Sequence, residues 1–124
     1  AYLSTWVEPY ALAGHAVLLY GKRSILEKFD QDERPTFRLT DWPADASTLL
    51  IEAGCGNSFQ PHGIVDLHPT INMAAGLILD VLQDKIPESC RRVWMGDKSS
   101  VEHNDGILRD SFTDTMAIRE FPWS

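Results

Sequence analysis

Leu49-Leu50-Ile51-Glu52-Ala53-Gly54-Cys55-Gly56 is the stretch on which the fold turns. An apolar run ends in a glutamate, and a cysteine then stands between two glycines. Two chemistries fit. Glycines let a backbone come close to a nucleotide-like cofactor. They also clear space around a thiol, so that a bulky acyl group can reach it.

The cofactor option can be tested by spacing. Strand followed by Glu-x-Gly-x-Gly looks like the first motif of a Rossmann-type methyltransferase, and Ile64-Val65-Asp66 mimics the second strand with its ribose-binding acid. Only nine residues separate Gly56 from Asp66, however, and they include Pro61 and Gly63. A parallel crossover needs about a dozen or more residues, usually a helix. The spacing therefore disfavours a methyltransferase, and the chain contains no G-x-G-x-x-G and no G-x-x-x-x-G-K-[ST].

Working outward, the 124 residues suit one domain with one core. No apolar run approaches the roughly 20 residues of a membrane span, and the longest, 71–82, is interrupted by Asn72, Gly76 and Asp80. The first residues carry no basic signal-peptide region. The chain lacks an initiator Met and opens directly on a strand-like pattern, as expected of a segment of something larger. A net charge of −7 argues against general nucleic-acid binding. Two cysteines, Cys55 and Cys90, are too few for a disulfide framework or a cysteine-based zinc site, so a reducing cytoplasm is the expected setting.

The patterning predicts an α/β domain. Residues 3–20 read as a strand pair bent at Pro9, with Gly14 marking a bulge or a close backbone approach. Residues 22–46 read as a long crossing loop with a helical turn over 24–29. Residues 48–53 are short and apolar, strand or helix, and a Cys-bearing loop spans 54–63. The strongest helix runs over 66–82, with Asp66 as N-cap and Pro69 in the first turn. Its apolar residues cover most of the circumference, which predicts a buried helix. Residues 91–96 read as a strand, 107–108 as a short pairing segment, and 110–124 as a tail.

Cys55 is the candidate nucleophile: its glycines give access, the helix beginning near Asp66 offers a dipole, and His62 and His68 are nearby in sequence as general bases. The alternative is a packed small hydrophobe, the commonest fate of a free thiol. Cys90, at a helix-to-strand junction, is read as packed. His15, in an apolar strand, is read as a hydrogen-bonded structural residue. His62, His68 and His103 lack metal-ligand spacing, so no metal site is expected.

Two segments carry a family resemblance. Thr5-Trp6-Val7-Glu8-Pro9-Tyr10-Ala11-Leu12-Ala13-Gly14-His15-Ala16-Val17-Leu18 resembles a strand pair in the second half of ThiF/MoeB-type adenylating domains, relatives of the ubiquitin-activating enzymes. Glu52-Ala53-Gly54, followed by Ile71-Asn72-Met73-Ala74-Ala75-Gly76-Leu77-Ile78-Leu79-Asp80-Val81-Leu82, resembles that family's E-A-G loop and long apolar helix, and Arg92-Val93-Trp94-Met95-Gly96-Asp97 its late strand. The order is most similar to bacterial ThiF-like proteins that work with ubiquitin-conjugating-like partners, some in antiphage defence.

The resemblance implies the C-terminal half of a Rossmann-like adenylating domain, with a mixed sheet and one long buried helix. It implies an enzyme that adenylates a protein C-terminus with ATP and Mg²⁺, bound mainly outside this segment, and passes the acyl group to a cysteine as a thioester. Its implied partners are the protein substrate, a ubiquitin-conjugating-like protein and a second copy in a homodimer, with no nucleic acid or membrane. The 22–46 loop, which often carries the acceptor cysteine in that family, has none, so Cys55 is the one candidate in the region. The non-catalytic alternative is an assembly module in which Cys55 is merely packed.

Overall fold

The computed structural model describes residues 1–43, 50, 51, 58, 59 and 64–124, without the side chains at 50, 51, 58, 59 and 64. The expected strand pair forms β1 (Tyr2–Val7) and β2 (Ala13–Leu19). They are joined by a tight turn, Pro9–Ala11, in which Tyr10 (φ 59°) and Ala11 (φ 53°) both take the left-handed conformation. That conformation is costly for residues with a Cβ. β6 (Cys90–Met95) pairs antiparallel with β2, and β8 (Ala117–Pro122) pairs antiparallel with β6. The sheet order is β1-β2-β6-β8.

The expectation of a mixed sheet is corrected here, because every strand pairing among the described residues is antiparallel. Two short pairs lie outside the main sheet: β3 (Thr40–Asp41) with β7 (Ile107–Leu108), and β4 (Leu50–Ile51) with β5 (Ser58–Phe59). The segment after β4 thus returns antiparallel to it, and Ile64-Val65-Asp66 opens a helix instead of a second parallel strand. The 110–124 tail contributes edge strand β8 and, at its end, the fully buried Trp123. β8 carries Arg119 and Glu120 among its apolar residues, so it lacks the apolar run that marks β2.

β2 is buried along its whole length, because both faces of the sheet are covered. One face takes α1 (Ile64–Leu82), whose Met73, Ala74 and Leu77 pack on Ala16, Leu18 and Cys90. The other takes the crossing loop and the short α2 (Lys98–His103): Phe37 and Trp123 pack on Val17 and Leu19, while Leu39, Val101 and Phe112 pack on Ala13, Val93 and Met95. The helical turn expected in the crossing loop is present at Ile25–Lys28, closed by a reciprocal Ser24–Glu27 capping box. Arg91 lies between the rings of Phe37 (4.8 Å) and Phe121 (4.4 Å) and ties the loop to β8.

Two expectations for the helix are corrected. It begins at Ile64, so Asp66 is in its first turn and is not the N-cap, and Pro69 is the sixth residue, where it withholds an N–H from the helical ladder. Nor is α1 buried all round. Its apolar residues do encircle it, but one sheet covers one side only, and Val65, Ile71, Ile78, Leu79 and Leu82 are exposed. By length and composition this helix could cross a membrane, yet its buried stripe rests on the sheet.

Gly14 explains how closely α1 sits. A Cβ there would lie 1.8 Å from the Thr70 hydroxyl, so the glycine serves a close approach, one of the two roles its position suggested. Gly14→Ala should therefore destabilise by about 1–3 kcal/mol, the usual range for overpacking. With Thr70→Ala added, the loss should be smaller than the sum of the two singles, since only the hydroxyl and methyl overlaps are removed. Urea denaturation of the four proteins in this cycle measures both.

Candidate functional site: a cleft built on a buried carboxylate

Glu8 ends the apolar run of β1 just before Pro9 and is buried. Its carboxylate accepts four hydrogen bonds. Oε2 takes His15 Nε2 (2.5 Å) and the Leu39 N–H (2.9 Å), and Oε1 takes the Thr40 N–H (2.9 Å) and hydroxyl (2.6 Å). Two donors thus come from the crossing loop's backbone, more than thirty residues along the chain. Burial pushes the Glu8 carboxyl up, but the His15 hydrogen bond and charge, with those from Thr40 and Leu39, outweigh it and hold it below its ordinary value.

The network extends to two tryptophans. Trp42 Nε1 donates to Thr40 Oγ1 (2.9 Å), and the Trp6 ring stacks on His15 at 4.9 Å. Between them lies a cavity of about 350 Å³, lined by Trp6, Pro9, Arg34, Pro35, Arg38 and Trp42 among others. Arg38 is committed to Asp30 (2.7 Å) and Asp41 (2.8 Å). Asp41 also receives Arg109 (2.8 Å), and its carboxyl stays low because these guanidinium bonds exceed the opposing effect of its burial. Arg34 differs. Half exposed, it reaches Asp32 and Asp41 only at 3.7 and 3.8 Å, too long for hydrogen bonds. Its donors are available to a ligand.

A second cavity of about 490 Å³ shares Asp41 and is otherwise lined by Thr36, Ile107, Arg109 and Ser111 among others. Arg109 there already bonds Asp41 (2.8 Å) and the Thr36 carbonyl (3.4 Å), so it presents less open donor capacity than Arg34.

The cleft is suited to binding and not to proton transfer. Glu8 is saturated with donors and easily ionised, so it is no general base. Cys90 is buried in β6, and burial, then the Glu120 charge, raise its thiol against the smaller effect of Arg92, which makes it a poor nucleophile. His68 lies on the exposed side of α1. Cys55 and His62 lie outside the described residues. No group of three His, Cys, Asp or Glu side chains among the described residues could hold a metal ion. The sequence contains no G-x-x-x-x-G-K-[ST] phosphate loop.

His15 occupies the hydrogen-bonded structural position expected of it. Glu8, Trp6, Trp42 and Arg34 are cleft residues that no expectation from the sequence covers. The usable signal was an acid lodged in an aromatic and apolar run beside a proline, Trp6-Val7-Glu8-Pro9-Tyr10, since a carboxylate that is buried must be bonded. No family model, curated protein or solved structure matches this chain.

Glu8→Gln would set an amide N–H₂ against backbone donors and should destabilise at pH 7 by about 3–5 kcal/mol, the range for breaking a buried pair. Because Glu8 is held below its ordinary 4.5, its stabilisation is fully present above about that pH and is lost as pH falls through the lowered value. The acid limb of stability against pH, followed by denaturant titration, should accordingly be shallower in Glu8→Gln than in the parent.

Proposed function

We propose that this chain is part of an ATP-dependent ubiquitin-like protein activating enzyme, a piece of the C-terminal half of a Rossmann-like adenylating domain. An extended protein C-terminus lies in the Trp6–Trp42 cleft, Arg34 meets its carbonyl or carboxylate oxygens, and its activated acyl group passes to Cys55. One observation carries this reading. The crossing loop that walls the cleft is clamped to the strand pair through Glu8, and in sequence it runs straight into the Cys55 segment. A cleft lined by two tryptophans and two prolines, with a guanidinium whose two ion-pair contacts are longer than hydrogen bonds, suits an extended peptide better than a compact metabolite.

The transfer balances simply. The Cys55 sulfur attacks the acyl carbonyl of an adenylate, a C–S bond forms, the C–O bond to phosphate breaks, AMP leaves, and the thiol proton passes to solvent or a base. The adenylate itself is made by a nucleotide-binding half that this chain does not contain.

In the complete enzyme with ATP, Mg²⁺ and its protein substrate, Cys55→Ala should abolish the thiol-reducible adduct. An adduct that persists in that variant assigns the acceptor elsewhere. Arg34→Ala should raise the KM for the protein substrate by about fivefold, as expected for losing roughly 1 kcal/mol from one half-exposed charged hydrogen bond. The adduct yield at saturating substrate should be unchanged.

A further inference from the structure

Neighbouring side chains on a strand point to opposite faces, so β6 sends Arg91 and Arg92 to different sides of the sheet. Arg92, on the α1 side, is held by Asp80 (2.5 Å) and Glu120 (2.8 Å). Arg91, on the crossing-loop side, lies between Phe37 and Phe121, with its Cζ 4.8 and 4.4 Å from the ring centroids. Rings attract a cation and hold it in place, but they offer its N–H groups no oxygen.

Every other arginine has a carboxylate oxygen within 4 Å: Arg23, Arg34, Arg38, Arg92, Arg109 and Arg119. Arg91 has no ion-pair or hydrogen-bond partner among the described residues. The shortage is not of acids, since the chain carries a net charge of −7. Nearby acids are engaged elsewhere: Glu120, next to Phe121, with Arg92, Asp114 with Arg119, and Glu27 with Arg23.

The consequence is electrostatic. Arg38 and Arg92 are also partly buried, and for both the bonds to carboxylates outweigh burial and raise the guanidinium above its ordinary value. On Arg91 burial acts unopposed and lowers it. Its nitrogens still reach the surface, because none of them is among the buried polar atoms that lack a partner. Arg91 is thus a cation partly stripped of water, fixed by two rings and open at its N–H groups.

We propose that Arg91 is a binding point for a carboxylate, which bonds the guanidinium N–H groups that Phe37 and Phe121 leave open. A carboxylate fits this group better than a phosphate does. Its two oxygens match one edge of the guanidinium, and its single charge matches one cation. A phosphate, close to a dianion at neutral pH, calls for a second cation. Arg92 and Arg119 are already neutralised, and Lys28 is occupied by the Trp123 ring (5.2 Å) and the Ser124 carbonyl (3.4 Å). Phe121, 37% exposed, offers contact area to whatever apolar group carries the carboxylate. The inference stands on β6, β8 and the crossing loop, and does not depend on acyl transfer to Cys55.

The test is a nuclear magnetic resonance titration of the full chain, read at the Arg91 Nε–H signal, which Arg91→Lys identifies by its loss. Sodium acetate should move that signal saturably, and sodium chloride at the same ionic strength should not. Acetyl-Leu-Glu-Leu-amide separates the two sources of a carboxylate. Binding several-fold tighter than acetate assigns the site to an acidic side chain on a polypeptide, and equal binding assigns it to a small free acid; either outcome supports the inference. Arg91→Lys keeps the charge without the planar fork, and should weaken binding about fivefold or more, followed at the Phe121 amide. Arg119→Gln should leave it unchanged. A shift that does not saturate, or that chloride reproduces, overturns the inference. So does tighter binding of inorganic phosphate than of acetate, equal binding of the Gln counterpart of the peptide, or undiminished binding by Arg91→Lys.

Discussion

The Glu8 carboxylate is the constraint around which the described structure is organised. Burying an unpaired carboxylate costs several kcal/mol, so the fold must bring donors to it. It does so from β2 through His15 and from the crossing loop through Leu39 and Thr40. That requirement pulls a long, polar, aperiodic segment against the sheet, which its own composition would not do. Once Leu39 and Thr40 are held, Phe37 reaches the Val17–Leu19 face and Leu39 reaches Val93 and Met95. The two tryptophans depend on it in the same way, Trp42 through Thr40 and Trp6 through the His15 ring. The left-handed Tyr10 and Ala11, immediately after Glu8, are the backbone strain that this arrangement tolerates.

The opposite face is organised by contact distance instead of charge. Gly14 lets Thr70 approach the sheet, and this fixes which side of α1 is buried. Further along, Arg92 reaches Asp80 on the helix (2.5 Å) and Glu120 on β8 (2.8 Å), holding helix and edge strand to the middle of the sheet. With the helix held at both points, its remaining apolar residues have no freedom to turn inward. The exposure of Ile71, Ile78 and Leu82 is thus a consequence of how α1 is seated.

The parts of this fold legible in the sequence are those specified locally. The strand pair, the Ser24 turn, α1 and β6 each carry their own apolar run, cap or period. Gly14 signals a bulge or a close approach, and only the packing of Thr70 against it decides for the second. The full burial expected of α1 went beyond what periodicity can say, since a helix that is apolar all round states how much it can bury but not how much the chain supplies to cover it. β8 was hidden by Arg119 and Glu120, which suit an edge and mask a strand. The Glu8 cleft was hidden by distance, because its donors at positions 39 and 40 have no local signature in a loop of mixed charge. The proposed acyl acceptor, Cys55, lies outside the described residues.

The charges around the cleft bear on what it can hold. Arg38 and Arg109 are neutralised by Asp30 and Asp41, which leaves Arg34 as the cation with open donors at the rim. Beyond about 8 Å at physiological salt its field is screened, and the chain as a whole is acidic. Arg34 therefore cannot draw in a strongly anionic ligand from afar, and any selectivity it provides acts at contact. A ligand that suits this cleft is then one whose affinity comes first from area against Trp6, Trp42 and the prolines, with one or two oxygens placed for the guanidinium. An extended peptide of low charge meets that description, because its backbone presents carbonyl oxygens at regular intervals while its net charge gives the acidic surface little to repel.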